Sequence, residues 1–326
     1  MGPSTLSSWA LLIARTLQAR GIDAEALFRR AGLNPEHLGD PDVRYPIHGV
    51  QKLWALGVEA TKDSCFGLEV GKFWHPTTFH AIGYTAIAAK TVRETLTYLA
   101  RYMRVVTTGL SLELADLDEQ VVVNFALLLR TTSSIWAHAA VTSIVILCRD
   151  ARGAEINPVG VSLVQADGMC LKRMEEFFRC PVSIGASHTS LKFRRADLDA
   201  PLSTANQTLV RANEAVLSEY LSRLGVSDFV FRVRTKLIHL LPTGEINAEA
   251  VARSLNVSLR SLQRQLREEG ITFRQLIDST RRDLAEHYLK DSTLSVAEVA
   301  YLLGFGETSS FTRAFRRWTG HTPRHK

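Results

Sequence analysis

The last third of the chain repeats itself. Ile246-Asn247-Ala248-Glu249-Ala250-Val251-Ala252-Arg253-Ser254-Leu255-Asn256-Val257 can be laid on Leu294-Ser295-Val296-Ala297-Glu298-Val299-Ala300-Tyr301-Leu302-Leu303-Gly304-Phe305 at an offset of 48 residues. After one inserted residue the match resumes at an offset of 49, with Leu262 on Phe311, Arg264 on Arg313, Leu266 on Phe315 and Arg267 on Arg316. Self-similarity at a fixed period means one structural unit folded twice, a tighter constraint than any composition.

Each copy has the layout of a helix-turn-helix. In the second, Ser295 and Glu298 have capping-box spacing and start a helix whose apolar stripe is Val296, Val299, Ala300 and Leu303. Gly304 supplies the left-handed backbone of a tight turn; Asn256, at the same place in the first copy, is among the few residues that tolerate it. Ser258 is placed to cap the helix that follows.

That following helix separates its faces. Leu259, Leu262 and Leu266 point one way, and Arg260, Arg264 and Arg267 another. In the second copy Phe311, Phe315 and Trp318 form the anchor, with Ser309, Thr312, Arg313 and Arg316 on a separate face. An apolar anchor behind Arg, Gln, Ser and Thr is what a helix needs to enter the major groove, where Arg pairs with guanine and Gln with adenine. The candidate DNA contacts are Arg260, Ser261, Gln263, Arg264, Arg267, Ser309, Ser310, Thr312, Arg313, Arg316 and Arg317. Arg264 and Arg313 hold equivalent central positions and are the expected base readers. Arg260, Arg267, Arg316 and Arg317 lie nearer the edges, as phosphate contacts do. A long helix over Phe273–Lys290, packing through Phe273, Leu276, Ile277, Leu284 and Tyr288, is expected to join the units. It would let both recognition helices reach successive grooves, about 34 Å apart.

The charge agrees. From Val226 to Lys326 there are 16 Lys and Arg against 11 Asp and Glu, so this third carries nearly all of the net +6. A local surplus of this kind suits a polyanionic partner.

The first two thirds mix helix and strand signals and read as an α+β domain preceding an all-α one. Leu6–Ala19 and Ala24–Ala31 read as amphipathic helices, the second ending at Gly32. Leu110–Ala115 and Val121–Leu127 read as strands around Asp116-Leu117-Asp118-Glu119. Ser133–Arg152 is a helix with Gly153 as its cap, Val159–Gln165 and Ser190–Arg194 are strands, and Met169–Arg179 is a helix stopped before Pro181. Leu202–Leu224 is helical until Gly225. The domains are expected at 1–203 and 230–326, with a helical connection over 204–229.

Several classes are excluded. No apolar run approaches the roughly 20 residues of a membrane span, and no basic stretch precedes the apolar N-terminus as in a signal peptide. Cys65, Cys148, Cys170 and Cys180 are scattered without a C-x-x-C pair, and read as reduced, buried thiols. G-x-S-x-G, H-E-x-x-H, P-loop and G-x-G-x-x-G motifs are absent, so no enzyme and no cofactor is expected. His75 and His80 lack a third ligand, so no metal is expected either.

The segment Ser258-Leu259-Arg260-Ser261-Leu262-Gln263-Arg264-Gln265-Leu266-Arg267-Glu268-Glu269-Gly270 resembles the first recognition helix of AraC/XylS-type transcription regulators. Leu302-Leu303-Gly304-Phe305 followed by Ser309 to Pro323 resembles the signature of that family. The likeness covers about Phe231 to Pro323. It departs at Gly306 and Thr308, where the family more usually has Ser and Pro, and at the Arg324-His325-Lys326 ending, where it commonly has Tyr-Arg.

Phe66-Gly67-Leu68-Glu69-Val70-Gly71, the stretch His80 to Tyr102 with Thr91, Leu96 and Arg101, and Leu191-Lys192-Phe193 with Pro201-Leu202 resemble the arabinose-binding-type regulatory domain of one branch. The resemblance implies a cytoplasmic transcription activator, nucleoid-associated when bound to DNA. Its implied partners are double-stranded promoter or operator DNA, a second copy of the chain, RNA polymerase and a small-molecule effector.

For that effector, Trp74, His75, His80, Tyr84, Trp136 and His138 are the candidate pocket wall, with Arg101 as counter-charge. The alternative is a first domain that only dimerises or binds protein. A closed apolar interior would favour it, and a pocket with convergent polar groups would favour sensing.

Overall fold

The computed structural model describes residues 3–40, 42–127, 134–152, 156–166, 168–223, 228–244, 246–289 and 294–323. The chain divides into one unit of Pro3–Leu127 and Thr131–Tyr220 and a second that contains Leu221–Lys326.

The first unit opens on a short strand, β1 (Ser4–Leu6), then α1 (Ser7–Gln18), α2 (Ala24–Ala31), β2 (Arg44–Pro46), α3 (Ile47–Thr61), α4 (Phe66–Lys72), α5 (Ala81–Ala88) and α6 (Val92–Val106). The hairpin β3 (Leu110–Leu117) and β4 (Gln120–Leu127) leads to α7 (Ile135–Arg152), β5 (Gly160–Leu163), α8 (Gly168–Phe178), β6 (Val182–Ile184), β7 (Thr189–Arg194), α9 (Arg195–Asp199) and α10 (Gln207–Arg223). One sheet pairs β1 with β2; the other has the order β3-β4-β7-β5-β6, parallel only between β5 and β6.

The hairpin strands run further than their apolar alternation suggests. Pairing continues to Leu117↔Gln120, leaving Asp118 and Glu119 as a two-residue turn, with Asp118 at φ 48°. One face of the sheet is core: Val121 pairs with Phe193 and Val123 with Leu191, all four fully buried.

Gly67 and Gly71 sit where α4 crosses α7 at backbone distance. A Cβ on Gly67 would stand 2.1 Å from the Ile135 carbonyl oxygen, and one on Gly71 would stand 2.5 Å from Thr142 Cβ. The Phe66–Gly71 segment is therefore a helix-crossing device, with Phe66, Leu68 and Val70 buried around it.

The cysteine expectation is corrected: Cys65 and Cys170 form a disulfide across 105 residues, both buried, while Cys148 and Cys180 stay free. The fold brings α8 against the start of α4, where Arg173 pairs with Asp63 at 2.9 Å and Glu69 at 2.6 Å. Burial pushes the Cys148 thiol up to about 12 and the Cys180 thiol up to about 11, so neither is a ready nucleophile.

The expected helix start at Ser133, the caps and breaks at Gly153, Leu224 and Gly225, the helix end at Lys290 and the Arg324–Lys326 ending lie outside the described residues. No described helix is long and apolar enough to cross a membrane.

All described elements of the second unit are helical: α11 (Asp228–Leu240), a 3-10 turn at Leu241–Thr243, α12 (Ala248–Ser254), α13 (Leu259–Glu268), α14 (Phe273–Tyr288), α15 (Val296–Leu302) and α16 (Thr308–Thr319). The first core is built by Val233, Leu237, Val251, Leu255, Leu262 and Leu266, joined by Leu276 from α14. Further along α14, Leu284 and Tyr288 are buried, as are Val299, Leu303, Phe311 and Phe315 of the second copy. Each such side chain contributes about 1.5–3 kcal/mol on burial. The joining helix thus serves both copies.

Candidate nucleic-acid interface

Both helix-turn-helix copies form from the local signals in the repeat. Asn247 caps α12 by accepting from the Ala250 N–H, and Ser258 caps α13 by accepting from Ser261. Ser295 and Glu298 form a reciprocal capping box on α15. The turns adopt left-handed backbone at Asn256 (φ 55°) and Gly304 (φ 71°). Gly304 meets a second requirement: a Cβ there would stand 2.3 Å from the Leu241 carbonyl oxygen, so the second turn lies directly against the 3-10 turn after α11. Asn256 carries a side chain and is exposed.

The two second helices present their candidate faces alike. Leu262, Leu266, Phe311 and Phe315 are buried, Leu259 is partly buried against the first core, and Trp318 is partly buried. Arg260, Gln263, Arg264 and Arg267 are exposed on α13, and Ser309, Arg313, Arg316 and Arg317 on α16; Ser261, Ser310 and Thr312 are partly exposed.

Their ion pairs are weak and open. Arg264 faces Glu268 at 3.9 Å with both side chains largely exposed, and Arg317 faces Asp278 at 3.6 Å. Exposed pairs of this kind contribute about 0–1 kcal/mol, so a phosphate or base can displace them at little cost. Arg313 donates to Ser310 Oγ at 3.4 Å.

Between α14 and α16 lies a cleft of about 340 Å³ whose lining includes Arg281, Phe305, Arg313, Arg317 and Trp318. Reading the repeat by similarity passes over Arg281. It donates to the carbonyls of Leu303 (2.9 Å) and Gly304 (3.4 Å), and its guanidinium lies 4.5 Å from the Phe305 ring centre. Burial pulls its pKa down, against the opposing charge of Asp278.

In the first unit the effector candidates have separate surroundings. Trp74 is buried edge-on to Phe79, and its Nε1 has no hydrogen-bond partner. His75 is exposed and caps a 3-10 turn, accepting from the Thr77 N–H; Tyr84 is exposed. His80, at φ 53°, packs on Tyr220 at 5.1 Å, and burial lowers its pKa. Arg101 pairs with Glu214 at 3.4 Å on α10 and lies 5.0 Å from the Tyr102 ring centre. Trp136 is partly buried, with an unpartnered Nε1. His138 is buried on α7, donates from Nε2 to the Gln165 carbonyl at 2.9 Å, and has its pKa lowered by desolvation.

The candidates therefore lie on the α4–α5 connection (Trp74, His75, His80), α5 (Tyr84), α6 (Arg101) and α7 (Trp136, His138). A polar row crosses the sheet elsewhere: Glu113, Asn124, Ser190, Ser162 and Ser183 stand in register over all five strands. Asn124 Oδ1, and Ser111 Oγ on the same face, are buried without partners. Only strand register could reveal this row, because its members lie far apart in sequence. Among the described residues no group of three or more His, Cys, Asp or Glu side chains could hold a metal ion.

Comparison with known proteins fits this architecture. Residues 21–202 match the model for the arabinose-binding domain of AraC transcription regulators, and residues 251–325 match a helix-turn-helix domain. The chain is 26% identical to the ornithine utilization regulator of Pseudomonas aeruginosa over 93% of this chain and 90% of that one. It is 35% identical to the regulator VirS of Mycobacterium tuberculosis over 46% of this chain and 44% of that one. The crystal structure of the regulator CdpR from Pseudomonas aeruginosa covers 96% of this chain and 95% of its own, with TM-score 0.50 and 24% identity, a likeness of fold. With an arabinose-binding-type domain over more than half its length and a doubled helix-turn-helix after it, the chain belongs to the AraC family of DNA-binding transcription regulators.

Proposed function

We propose that the chain reads an operator through two successive major grooves, α13 in one and α16 in the next, and that its first unit adjusts this binding in response to a small molecule. The observation that carries the DNA reading is the duplicated face: Arg264 and Arg313 stand at matched positions on two exposed polar helices, each anchored by buried apolar side chains. These two arginines read bases, while Arg260, Arg267, Arg316 and Arg317 hold phosphates. In this reading the protein works as a homodimer that activates transcription through RNA polymerase; one relative, RhaS of Escherichia coli, is named a transcriptional activator.

The test is affinity for operator and scrambled duplex across a salt series. Arg264→Ala and Arg313→Ala should each remove about 1–3 kcal/mol of discrimination. Losing a phosphate contact should weaken both duplexes alike and flatten the salt slope by about one. An unchanged ratio of the two affinities in Arg264→Ala and Arg313→Ala refutes the base-reading roles.

For the effector, support comes from unused hydrogen-bonding capacity inside the first unit. Buried polar groups are normally paired, yet Trp74 Nε1, His80 Nδ1, Ser111 Oγ and Asn124 Oδ1 are not. L-Arabinose and L-ornithine are the first compounds to screen, by thermal shift and by their effect on operator affinity. Domain limits of 1–203 and 230–326, with 204–229 as the connection, accompany this reading. An exposed apolar stripe on α10 (Leu209, Ala212 and Val216) supports self-association there, and is the observation that favours an interaction role for the first unit.

A further inference from the structure

The repeat changes character at a position that is core in the first copy. By the 48-residue offset, Val233 of α11 corresponds to Arg281 of α14. Val233 is fully buried in the first core beside Val251, Leu255 and Leu262. In the second copy the same position carries a cation, which loses hydration and needs replacement partners. It finds them in the helix-turn-helix turn itself: the carbonyls of Leu303 and Gly304, and the face of Phe305. Phe305 in turn packs on Phe311 at 5.6 Å and Trp318 at 6.1 Å, both on α16. On its other side the same turn meets the Leu241 carbonyl at Gly304.

Resting on the DNA reading above, we propose that Arg281 is the positioning residue of the second recognition helix. It sets the pose of α16 through Leu303, Gly304 and Phe305, and so contributes operator specificity without itself touching DNA. The first copy needs no such group, because Val233 closes an apolar core around its own turn. Three features carry the assignment. The planar guanidinium spans two consecutive carbonyls and stacks on the next residue, a combination an ammonium cannot reproduce. Arg281 makes no ion pair within 4 Å to any side chain among the described residues, so its hydrogen bonds go to the turn. It also stands on the helix that supplies Leu276 to the first core, so the pose of α16 is referred to the first helix-turn-helix copy.

The test uses the full chain, a duplex selected from random sequence by the wild-type protein, and the same duplex with only the half-site protected by α16 scrambled. Arg281→Lys keeps the charge and loses the planar fork; Arg281→Met keeps an unbranched stem and loses both. Each should lower affinity for the selected duplex by about ten- to a hundredfold, the discrimination a bidentate base contact supplies. Affinity for the half-scrambled duplex and the salt slope should stay at wild-type values. In the free protein, amide exchange should rise over residues 303–311 while that of α12 and α13 is unchanged.

Equal losses on both duplexes would show a general destabilisation and overturn the proposal. A salt slope lower by about one would show that Arg281 itself holds a phosphate, and would also overturn it. So would wild-type exchange over residues 303–311. If the wild-type protein selects no sequence at all, the DNA reading fails, and the exchange result still decides whether Arg281 places α16.

Discussion

Replacing Gly304 tests the claim that the two helix-turn-helix copies are locked together. Two effects meet there. The backbone is left-handed at φ 71°, and a side chain has no room, with the Leu241 carbonyl oxygen 2.3 Å and Ile246 Cδ1 3.2 Å from an ideal Cβ. Left-handed backbone costs an ordinary L-residue about 1–2 kcal/mol, and Asn much less. Forcing an atom into a packed place costs about 1–3 kcal/mol. Gly304→Asn isolates the second effect and should destabilise the second unit by about 1–3 kcal/mol. Gly304→Ala combines both and should cost about 2–5 kcal/mol. Asn256→Gly, at the matched turn of the first copy, should stay within about 1 kcal/mol of wild type.

Two units in one chain make a single unfolding midpoint ambiguous. The better assay is hydrogen exchange of amides in α15 and α16, which reports opening of that region alone. Each 1.4 kcal/mol speeds exchange about tenfold, so Gly304→Ala should exchange at least some thirtyfold faster. A Gly304→Asn variant that exchanges like wild type, beside a Gly304→Ala variant whose exchange is faster only by the backbone cost of about 1–2 kcal/mol, would refute the docking of the second turn on the segment after α11.

Other outcomes follow from the same reasoning. Cys65→Ser with Cys170→Ser should lower the melting temperature of the first unit, since closing a loop of about 100 residues is worth about 4–5 kcal/mol in the chain-entropy model; calorimetry with and without dithiothreitol checks it. Ser295→Ala should cost about 1 kcal/mol through loss of the α15 cap, read as faster exchange in α15. Val216→Glu should shift a dimer toward monomer in sedimentation while leaving the circular dichroism spectrum at wild type, because Val216 is exposed. His138 is held neutral, its folded pKa below the unfolded value of about 6.5. Below that pH the unfolded chain binds the extra proton, so this contribution is complete above about pH 6.5 and is lost as pH falls from there toward the folded pKa. A pH series of melting temperatures should show the loss, and His138→Gln should flatten it.

How much of this was legible in the sequence differs by region, for physical reasons. Helical period and capping are local, so the second unit could be read from Ser258, Ser295, Glu298 and Gly304 alone. The first unit depends on long-range pairing. The strands β1 and β2 are three residues each, too short to show alternation, and they exist because they pair with each other. The helix expected from Leu202 begins at Gln207, because Leu202 donates its N–H to the Lys90 carbonyl and Asn206 to that of Ala88, holding the chain extended. Cys65 and Cys170 lie 105 residues apart, and nothing local to either marks the other as its partner.

The same distinction explains why Arg281 escapes a reading by similarity. A repeat is recognised from what its copies share: paired leucines and phenylalanines, paired arginines, a turn residue that tolerates positive φ. Those shared positions are enough to make each copy fold. They do not state how one copy is held against the other, because that contact occurs once and has no twin. Gly304 against Leu241 is of this kind, and Arg281 against the Leu303 and Gly304 carbonyls, though inside the second copy, is likewise a contact the first copy lacks. In the first copy the matching residues are Asn256, which has an exposed side chain, and Val233, which is buried in an apolar core. Where two copies of one fold must act at a fixed spacing, the residues that set the spacing are to be sought among the mismatches of the repeat.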